Sequence, residues 1–432
     1  MLEYIALGIF GLAFIFIVLE RFDKSLTALL GALLMVIFRI LTPEEAIEAI
    51  EFETILLLMA MMVLVNIASK SGIFEWLNVK IASFTKGNPL AIFLFFSILT
   101  AVFSAFLDNV TTVILIVPLT IELVKGMGKD PKPYIFAEII FSNVGGGLTL
   151  IGDPPNIIIG GATGFNFLDF IINLWIPIFA VSILTLVVFL IVNWRSIKPI
   201  SDKLIDLTIA NVIIRKVKMK FVKKTIHLDF VIKVVIALAV TIVGFMLQGY
   251  LDLPNYVIAF TAAIVLGILT TKKVSIHESF SSVEWTTLLF FAGLFIMVAG
   301  IEKTGVLEEL SHLVVSSTSD IFILALIILW VSGLVSMVLD NIPFVTVMIP
   351  VILGIQAQFP LTDMSILWWA LSLGACLGGN GTLIGASANV ISADLSKKNG
   401  VHISFLNYMK FSFPLTLGIL AVCSVYLYFA TL

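Results

Sequence analysis

The sequence predicts an all-α polytopic membrane protein of two inverted repeats, each with five transmembrane spans, one re-entrant hairpin and a helix broken at the membrane midplane. Three observations lead to this prediction. Of the 432 residues, 60% are hydrophobic and only 12% are charged, whereas a soluble domain carries about 25% charged residues. The apolar residues fall in blocks of roughly 20, the length that crosses a bilayer core. An Asp-Asn pair followed by a glycine-rich run occurs once in each half of the chain.

The two halves can be aligned residue by residue. A shift of 233 positions carries Lys70 to Lys303 and Gly152 to Gly385, and the Asp-Asn pairs are 232 positions apart. One single-residue insertion reconciles the two offsets. A nearly constant offset over a hundred residues is hard to obtain by chance in apolar sequence, so we interpret it as an internal duplication.

The first repeat is predicted to occupy residues 1–194. Its first apolar stretch lacks a basic beginning and a small-residue cleavage site, so we interpret it as a retained span rather than a signal peptide. A re-entrant hairpin is expected at 89–124, and a short amphipathic helix is expected after Lys70. The spans are expected near 2–19, 25–41, 54–69, 133–163 and 169–194, and the fourth of these is the broken helix.

The second repeat is predicted at 227–432, with its hairpin at 321–357 and a short amphipathic helix after Glu302. Its broken helix corresponds to 365–396, where three glycines interrupt the apolar run. Five spans per repeat is an odd number, so the second repeat is inverted relative to the first, as transporters built from inverted repeats require. The spans are expected near 228–248, 254–271, 285–301, 365–396 and 404–431.

The charges predict the topology, because cytoplasmic loops of membrane proteins are rich in Lys and Arg. The linker 195–226 contains nine Lys and Arg residues and is predicted to be cytoplasmic, whereas the acidic segment 42–53 is predicted to lie outside. Lysines flank the first hairpin on both sides, including Lys86 and Lys125, so both of its ends should be cytoplasmic. Acidic residues flank the second hairpin, which should enter from outside. The chain is thus expected in the cell membrane with both termini extracytoplasmic.

Each hairpin tip carries side chains suited to ion binding. Asp and Asn are good helix N-caps, so a helix should begin after each Asp-Asn pair and point its positive dipole end into the protein centre. One interpretation is that these groups only cap the broken hairpin; the other adds direct contact with the transported solute. The candidate residues at the tips are Asp108, Asn109, Thr111, Thr112, Asp340, Asn341 and Thr346.

The glycine-rich runs should unwind the two broken helices. Consecutive glycines and the sequence Asp153-Pro154-Pro155 cannot continue a regular helix, and unwound backbone at membrane depth is tolerated only inside protein or along a cavity. The alternative is that glycine serves close helix packing, which leaves the Asp-Pro-Pro sequence unexplained. The candidate ligands here are Asn143, Thr149, Asp153, Asn156, Asn380, Thr382, Ser387 and Asn389.

Three carboxylates, Asp108, Asp153 and Asp340, are the candidates for binding a coupling proton or sodium ion, since acids at membrane depth are costly and usually functional. Asp153 corresponds to Ala386 in the second half, so the predicted site is asymmetric. Glu138 is predicted to be either a proton relay or an interface residue, and Cys376 either a packing residue or a ligand. Two cysteines and four scattered histidines indicate neither a disulfide framework nor a metal cluster. No cofactor and no nucleic-acid partner are predicted.

At these residues the chain resembles the ArsB/NhaD permease family of the ion transporter superfamily. The resemblance rests on Phe106 to Thr112 and Asn143 to Asn156, and the segment Ala375 to Val390 is similar to the P-protein branch. It implies a scaffold domain, a moving domain with two opposed hairpins, a homodimer, and alternating access driven by an ion gradient. The chain differs from the arsenite pumps at the first tip, where Asp108 precedes Asn109, and it lacks the paired Ser-Asn-Thr signature of dicarboxylate carriers.

The predicted function is therefore secondary transport that exchanges protons or sodium for a small inorganic solute, with arsenite-type efflux and sodium–proton antiport both open. The alternative is a coupled or uncoupled anion transporter or channel of the P-protein or dicarboxylate-carrier type. No GxxxxGK[ST] loop occurs, so this chain is not expected to hydrolyse ATP itself, although a partner ATPase subunit stays open. An enzyme is not expected, because no histidine lies at the predicted centre.

Overall fold

The computed structural model describes residues 2–19, 21–85, 88–199, 227–318, 320–359 and 363–432, and every regular element in these ranges is helical. The predicted linker therefore lies outside the described residues from position 200 to its end, as does Lys86. In the first half the helices are α1 (Leu2–Val18), α2 (Lys24–Ile37), α3 (Pro43–Glu48), α4 (Phe52–Lys70), α5 (Ile73–Phe84), α6 (Pro89–Phe106), α7 (Asn109–Gly126), α8 (Lys132–Gly146), α9 (Pro154–Thr163) and α10 (Phe167–Ile197).

The second half repeats this order of helices. They are α11 (Leu228–Met246), α12 (Gln248–Leu251), α13 (Asn255–Thr270), α14 (Ile276–Ser281), α15 (Trp285–Glu302), α16 (Val306–Ser317), α17 (Ile321–Ser336), α18 (Asn341–Gln358), α19 (Ser365–Gly378), α20 (Ser387–Lys398) and α21 (Phe405–Ala430), with a 3₁₀ turn at Gly379–Gly381. Among the described residues, eight helices are long and apolar enough to cross a membrane. The all-α polytopic membrane class is thus confirmed, while the repeat boundaries and the orientation in the membrane stay predictions.

Both broken helices are interrupted at the glycine-rich runs. In the first half α8 ends at Gly146, and α9 begins with Pro154 and Pro155 in its first turn, where proline needs no N–H partner. In the second half α19 ends at Gly378 and α20 begins at Ser387. The residues in between do not continue the helix, because glycine and proline both disfavour a helix interior.

The helices α6 and α7 lie side by side as two arms of one hairpin. The Tyr134 hydroxyl near the start of α8 donates to the Pro89 carbonyl at the start of α6 over 3.3 Å. Near the other end of α6, the Ser104 hydroxyl donates to the Ser142 carbonyl over 2.5 Å. The helices α6 and α8 therefore run in the same direction, and the intervening α7 must return to the end where α6 began. The corresponding bond in the second half joins Ser336 to the Ala375 carbonyl over 2.7 Å.

Most of the helices, including the two hairpins, pack as two groups. A scaffold group contains α1, α2, α4, α11, α13 and α15. Within it α2 packs on α15 and α13 packs on α4, so helices of one half contact helices of the other. A hairpin group contains α6–α10 and α17–α21, in which α7 packs on α20 and α18 packs on α9. These crosswise contacts place the hairpin tips and the broken helices of both halves at one centre.

Two ion pairs at opposite ends of the scaffold group follow the same crosswise pattern. Lys70 lies 2.9 Å from Glu278, and Lys303 lies 2.6 Å from Glu45. A shift of 233 positions exchanges the two pairs with each other. The hydrogen bond from each lysine lowers the pKa of its glutamate partner. Both glutamates are well exposed, so these pairs mark the pseudo-symmetry of the fold more than they stabilise it.

The substitution Gly145→Ala tests the close packing of the first hairpin on the broken helix. A Cβ atom at Gly145 would lie 2.1 Å from the Ala101 carbonyl oxygen, so the backbone of α6 would have to move. We expect a loss of about 1–3 kcal/mol in the free energy of unfolding, seen as a lower melting temperature in detergent. The matched control is Gly11→Ala, where nothing lies within 4 Å of the new Cβ atom. Equal melting temperatures for the two variants would contradict the packing.

Candidate transport site

Four helices begin at one cavity of about 230 Å³ in the centre of the protein. They are α7, α9, α18 and α20, the second arm of each hairpin and the second half of each broken helix. Their N-cap residues Asp108, Asp153, Asp340 and Ala386 all line the cavity. Because a helix N-terminus carries a partial positive charge and free N–H groups, the four ends form a polar centre inside an apolar protein.

The two hairpin tips end in capped helices, as the Asp-Asn pairs predict. The Asp108 carboxylate accepts hydrogen bonds from the Thr111 backbone N–H at 2.7 Å and from the Thr111 hydroxyl at 2.6 Å. The Asp340 carboxylate accepts a longer bond of 3.4 Å from the Ile342 backbone N–H. Capping accounts for only part of the surroundings of each carboxylate, since both acids also line the cavity.

The second tip is additionally held by Lys24, which the sequence analysis missed. The Lys24 ammonium lies 3.0 Å from the Asp340 carboxylate, and their side chains are 38% and 22% exposed. Lys24 is the first residue of α2, whose N-cap Asp23 accepts bonds from Ser25 and Leu26. The same ammonium lies 5.4 Å from the centre of the Phe290 ring. This ion pair therefore joins the scaffold group to the hairpin group at the cavity wall.

Asp153 is the most deeply buried of the three cavity aspartates, with only 1% of its surface exposed. It receives one amide bond of 3.4 Å from Asn341, and its side chain makes no capping bond to α9. The next two residues are prolines, which have no N–H to donate. The thiol of Cys376 also contacts this carboxylate. Asp153 thus has few fixed donors, and its remaining coordination faces the cavity.

A network of asparagine side chains lies behind the cavity wall. The Asn109 amide donates to Asn143 over 3.2 Å, and the Asn143 amide donates to Asn380 over 2.9 Å and to Asn389 over 3.0 Å. Each amide can both donate and accept, so the network connects the first hairpin tip with both broken helices. It fixes the positions of the cavity-lining residues in front of it.

The asparagines and threonines that recur in the two glycine-rich runs hold the unwound backbone in a similar way in both halves. The Asn156 amide donates to the carbonyls of Gly147 and Thr149, and the Asn389 amide donates to those of Gly379 and Thr382. The Thr149 hydroxyl donates to the Ala105 carbonyl, and the Thr382 hydroxyl to the Met337 carbonyl, near the two hairpin tips. Buried carbonyls freed by unwinding thereby find partners within the protein.

The structure brings seven of the predicted site residues to the cavity surface and places eight elsewhere. Those that line the cavity are Asp108, Asn109, Thr111, Asp153, Asp340, Asn341 and Ser387. Those outside its lining are Thr112, Asn143, Thr149, Asn156, Thr346, Asn380, Thr382 and Asn389. Of these, Thr112 is fully buried and Thr346 bonds to the Ile342 carbonyl of its own helix. Direct contact between the solute and these eight residues stays a prediction.

The scaffold group and the end of α14 contribute polar residues that the sequence analysis did not select. Besides Lys24, they are Asn66, Ser69, Ser282, Glu284 and Thr287. The internal repeat could have pointed to two of them, because Glu284 and Thr287 correspond to Glu51 and Thr54 in the first half. Counting titratable groups, the cavity lining contains four acids (Asp108, Asp153, Glu284 and Asp340) and one base, Lys24. This excess of acid favours a bound cation over a bound anion.

Glu138 and Cys376 are buried near the centre but are not part of the cavity lining. The Thr120 hydroxyl of α7 donates to the Glu138 carboxyl group on α8, and Glu138 is 1% exposed. Cys376 contacts the Asn156 side-chain oxygen at 3.6 Å. Among the described residues, no group of three or more His, Cys, Asp and Glu could hold a metal ion.

Comparison with known proteins agrees with the membrane setting. A 46 kDa membrane protein of Mycobacterium leprae is 35% identical over 99% of this chain and 98% of its own length. An uncharacterized transporter of Mycobacterium tuberculosis is 33% identical over the same shares. The P protein of Homo sapiens is 31% identical over 95% of this chain, which matches 58% of that longer protein.

Among solved structures, the YdaH transporter of Alcanivorax borkumensis, described as having an unusual topology, has a similar fold. Its TM-score is 0.60 at 16% sequence identity, over 88% of this chain and 86% of that one. The family model of the citrate transporter matches residues 14–374. These relatives confirm the resemblance at the level of an ion transporter superfamily permease. The chain is a membrane transporter and belongs to the citrate transporter family.

Proposed function

We propose that this protein is a secondary transporter that couples protons to the movement of a small solute by alternating access, with a monovalent cation as the favoured solute. The observation that carries the proposal is the cavity lining, in which three aspartates occupy helix N-cap positions at the centre and one lysine opposes four acids. A carboxylate removed from water can bind either a proton or a metal cation. Competition between the two for the carboxylates of this one cavity couples their movements.

The ion pair between Lys24 and Asp340 links ion binding to movement in this proposal. While Lys24 holds Asp340 at 3.0 Å, the second hairpin tip is fastened to the scaffold group. A cation or proton that takes the place of the ammonium at Asp340 releases the tip. The hairpin group can then slide against the scaffold group and carry the cavity to the other side of the membrane.

The cavity opens beside two exposed residues, Glu284 and Ser387. Glu284 lies six positions from Glu278, the partner of Lys70, and the charge pattern predicts that Lys70 is cytoplasmic. In this interpretation the present arrangement is open to the cytoplasm and closed to the outside. Homodimerisation, which the ArsB/NhaD resemblance implies, is part of the same proposal.

Transport of an anion or a neutral oxyacid is the second candidate, and one end of the cavity favours it. The helix α20 has no acidic N-cap, because Ala386 stands where α9 has Asp153, and no side chain caps it. The first residues of α20 have free N–H groups that can bind an anion or an arsenite hydroxyl, whereas Pro154 and Pro155 at the start of α9 have none. The single base Lys24 lines the same cavity.

The first test is proton flux in proteoliposomes that contain the purified protein and a trapped pH-sensitive dye. Sodium, lithium, arsenite and a dicarboxylate are added in turn. We expect sodium or lithium to evoke a proton signal that liposomes without protein do not give. A signal with arsenite or the dicarboxylate alone would replace the cation by the second candidate. Silence with all four, together with a linear current–voltage relation, would replace coupled transport by an uncoupled anion pathway.

A further inference from the structure

A second, smaller cavity of about 90 Å³ lies at the opposite end of α4 from the transport cavity. Its walls include the first turn of α4, the end of α9, and the first residues of α12 and α13. The cavity therefore lies between the scaffold group and the hairpin group. The acidic segment before α4 is predicted to be extracytoplasmic, which places this cavity on the outer side.

Three of the residues that line this cavity carry a side-chain oxygen that receives no hydrogen bond from the described part of the chain. These oxygens are Thr54 Oγ, Gln248 Oε1 and Asn255 Oδ1, and each oxygen atom is buried. Thr54 as a residue is only 2% exposed. An isolated buried polar atom without a partner costs about 1–3 kcal/mol, and such atoms are few in native proteins. Three of them, from three helices around one cavity, indicate a shared ligand.

The charge around the cavity is negative. Glu53 lines it, and no Lys or Arg is present in its described lining. Glu51 is adjacent, since a Cβ atom at Gly161 would lie 2.8 Å from Thr54 Oγ and 3.9 Å from Glu51 Oε2. Burial and the neighbouring Glu53 charge raise the pKa of Glu51. A bound cation would relieve this repulsion.

We propose that this outer cavity binds a hydrated sodium ion through the oxygens of Thr54, Gln248 and Asn255, with Glu53 balancing its charge. Oxygen ligands without nitrogen or sulfur suit a hard cation, and a single lining carboxylate matches a single positive charge. The cavity has room for one ion with several waters, because about 90 Å³ is open to the centres of water molecules and one water needs only about 10–15 Å³ of such space. The bound ion would join the scaffold group to the end of α9 and hold the outer side closed.

The test measures sodium binding to the full chain purified in detergent, by thermal unfolding in sodium chloride against choline chloride at equal ionic strength. We expect sodium to raise the melting temperature of the wild type. We expect Thr54→Val to need about tenfold more sodium for the same shift, because a ligand to a charged ion is lost. Asn255→Asp adds a carboxylate, so it should need less sodium than the wild type for the same shift in melting temperature. This variant tests the proposal even if Thr54→Val does not fold. Thr241→Val is the matched control, because the Thr241 hydroxyl bonds within α11 to Ala237.

The inference goes beyond the transport proposal, and one further variant separates the two. In Asp340→Asn the transport cavity loses a candidate ligand, but the outer cavity is unchanged, so the sodium-dependent shift should persist. Loss of the shift in Asp340→Asn, with its retention in Thr54→Val, would overturn the outer site and assign the sodium to the transport cavity. A shift with calcium but none with sodium would overturn the assignment of a monovalent ion. An equal sodium dependence in wild type, Thr54→Val and Asn255→Asp would leave the outer cavity with water alone.

Discussion

The variant Asp340→Asn is expected to fold and to lose gradient-driven transport down to the rate of liposomes without protein. Asparagine is as good a helix N-cap as aspartate, so the start of α18 should be kept. An amide can bind neither a proton nor a metal cation as a carboxylate does, and it forms no ion pair with Lys24. The variant therefore removes the chemistry of Asp340 while it preserves the local structure of the hairpin tip.

A set of variants at Lys24 and Asp340 separates ion binding from a purely structural ion pair. If Asp340 binds the coupling ion, Lys24→Met should still transport. Its half-saturating ion concentration should change, because the Lys24 ammonium no longer competes with the ion for Asp340. The double variant Lys24→Met with Asp340→Asn should be as inactive as Asp340→Asn alone. If the pair only holds the structure, the double variant should instead recover activity, since neither charge is left without its partner. Such a recovery would falsify the coupling role of Asp340.

The control for this set is the ion pair between Lys303 and Glu45. It also joins elements from the two halves, but it lies at the scaffold surface and its side chains are 47% and 40% exposed. Pairs with this exposure contribute little to stability. Lys303→Met should therefore leave both the melting temperature and the proton flux close to those of the wild type. All variants are compared at equal amounts of reconstituted protein.

Local signals in the sequence sufficed for the hairpin tips and the helix breaks. An Asp-Asn pair inside an apolar run and a Pro-Pro or triple-glycine sequence act through the backbone of their own segment, so no tertiary information is needed. The observed starts of α7 and α18 at Asn109 and Asn341 follow from this local chemistry. The short helices α3, α12 and α14 were not predicted, because their four to six residues carry too little periodicity.

The Lys24 ion pair could not be predicted, because its partner lies 316 positions away in the chain. It depends on how α2 packs beside the second hairpin, and the repeat does not reveal it, because a shift of 233 positions carries Lys24 to Val257. Asp108, the counterpart of Asp340, bonds instead to its own helix through Thr111. The one-sided ion pair means that the two hairpin tips differ in how they are held. The sequence repeat alone suggests that they are alike.

The asparagines of the glycine-rich runs show a second limit of prediction from sequence. Residue type and spacing selected Asn156 and Asn389 as polar groups at the centre, and both are fully buried there. Their amide groups, however, face the unwound carbonyls of their own segments. A side chain that braces the backbone and one that binds a solute have the same sequence pattern. Only the direction of the side chain, which tertiary packing sets, separates the two.

Asp153 is where the two halves differ most in chemistry, and the second large effect is expected there. Its counterpart is Ala386, so the symmetric part of the fold works without an acid at this position. A carboxylate added at one of two equivalent helix starts therefore serves something other than folding. Its 1% exposure and its single amide bond of 3.4 Å leave it few competing partners for a proton. We infer that Asp153 carries the transported proton and that Asp340 carries the competing cation.

The variant Asp153→Asn should accordingly abolish the proton signal evoked by sodium, while radioactive sodium still exchanges across the membrane. Coupling would be lost and binding kept, an outcome that general misfolding cannot produce. Asp394→Asn is the matched control, because Asp394 is 65% exposed and pairs with Lys398 within α20, outside the cavity lining. A proton signal of normal size in Asp153→Asn would move the proton to Asp108 or Asp340. Loss of sodium exchange as well would assign the cation, and not the proton alone, to Asp153.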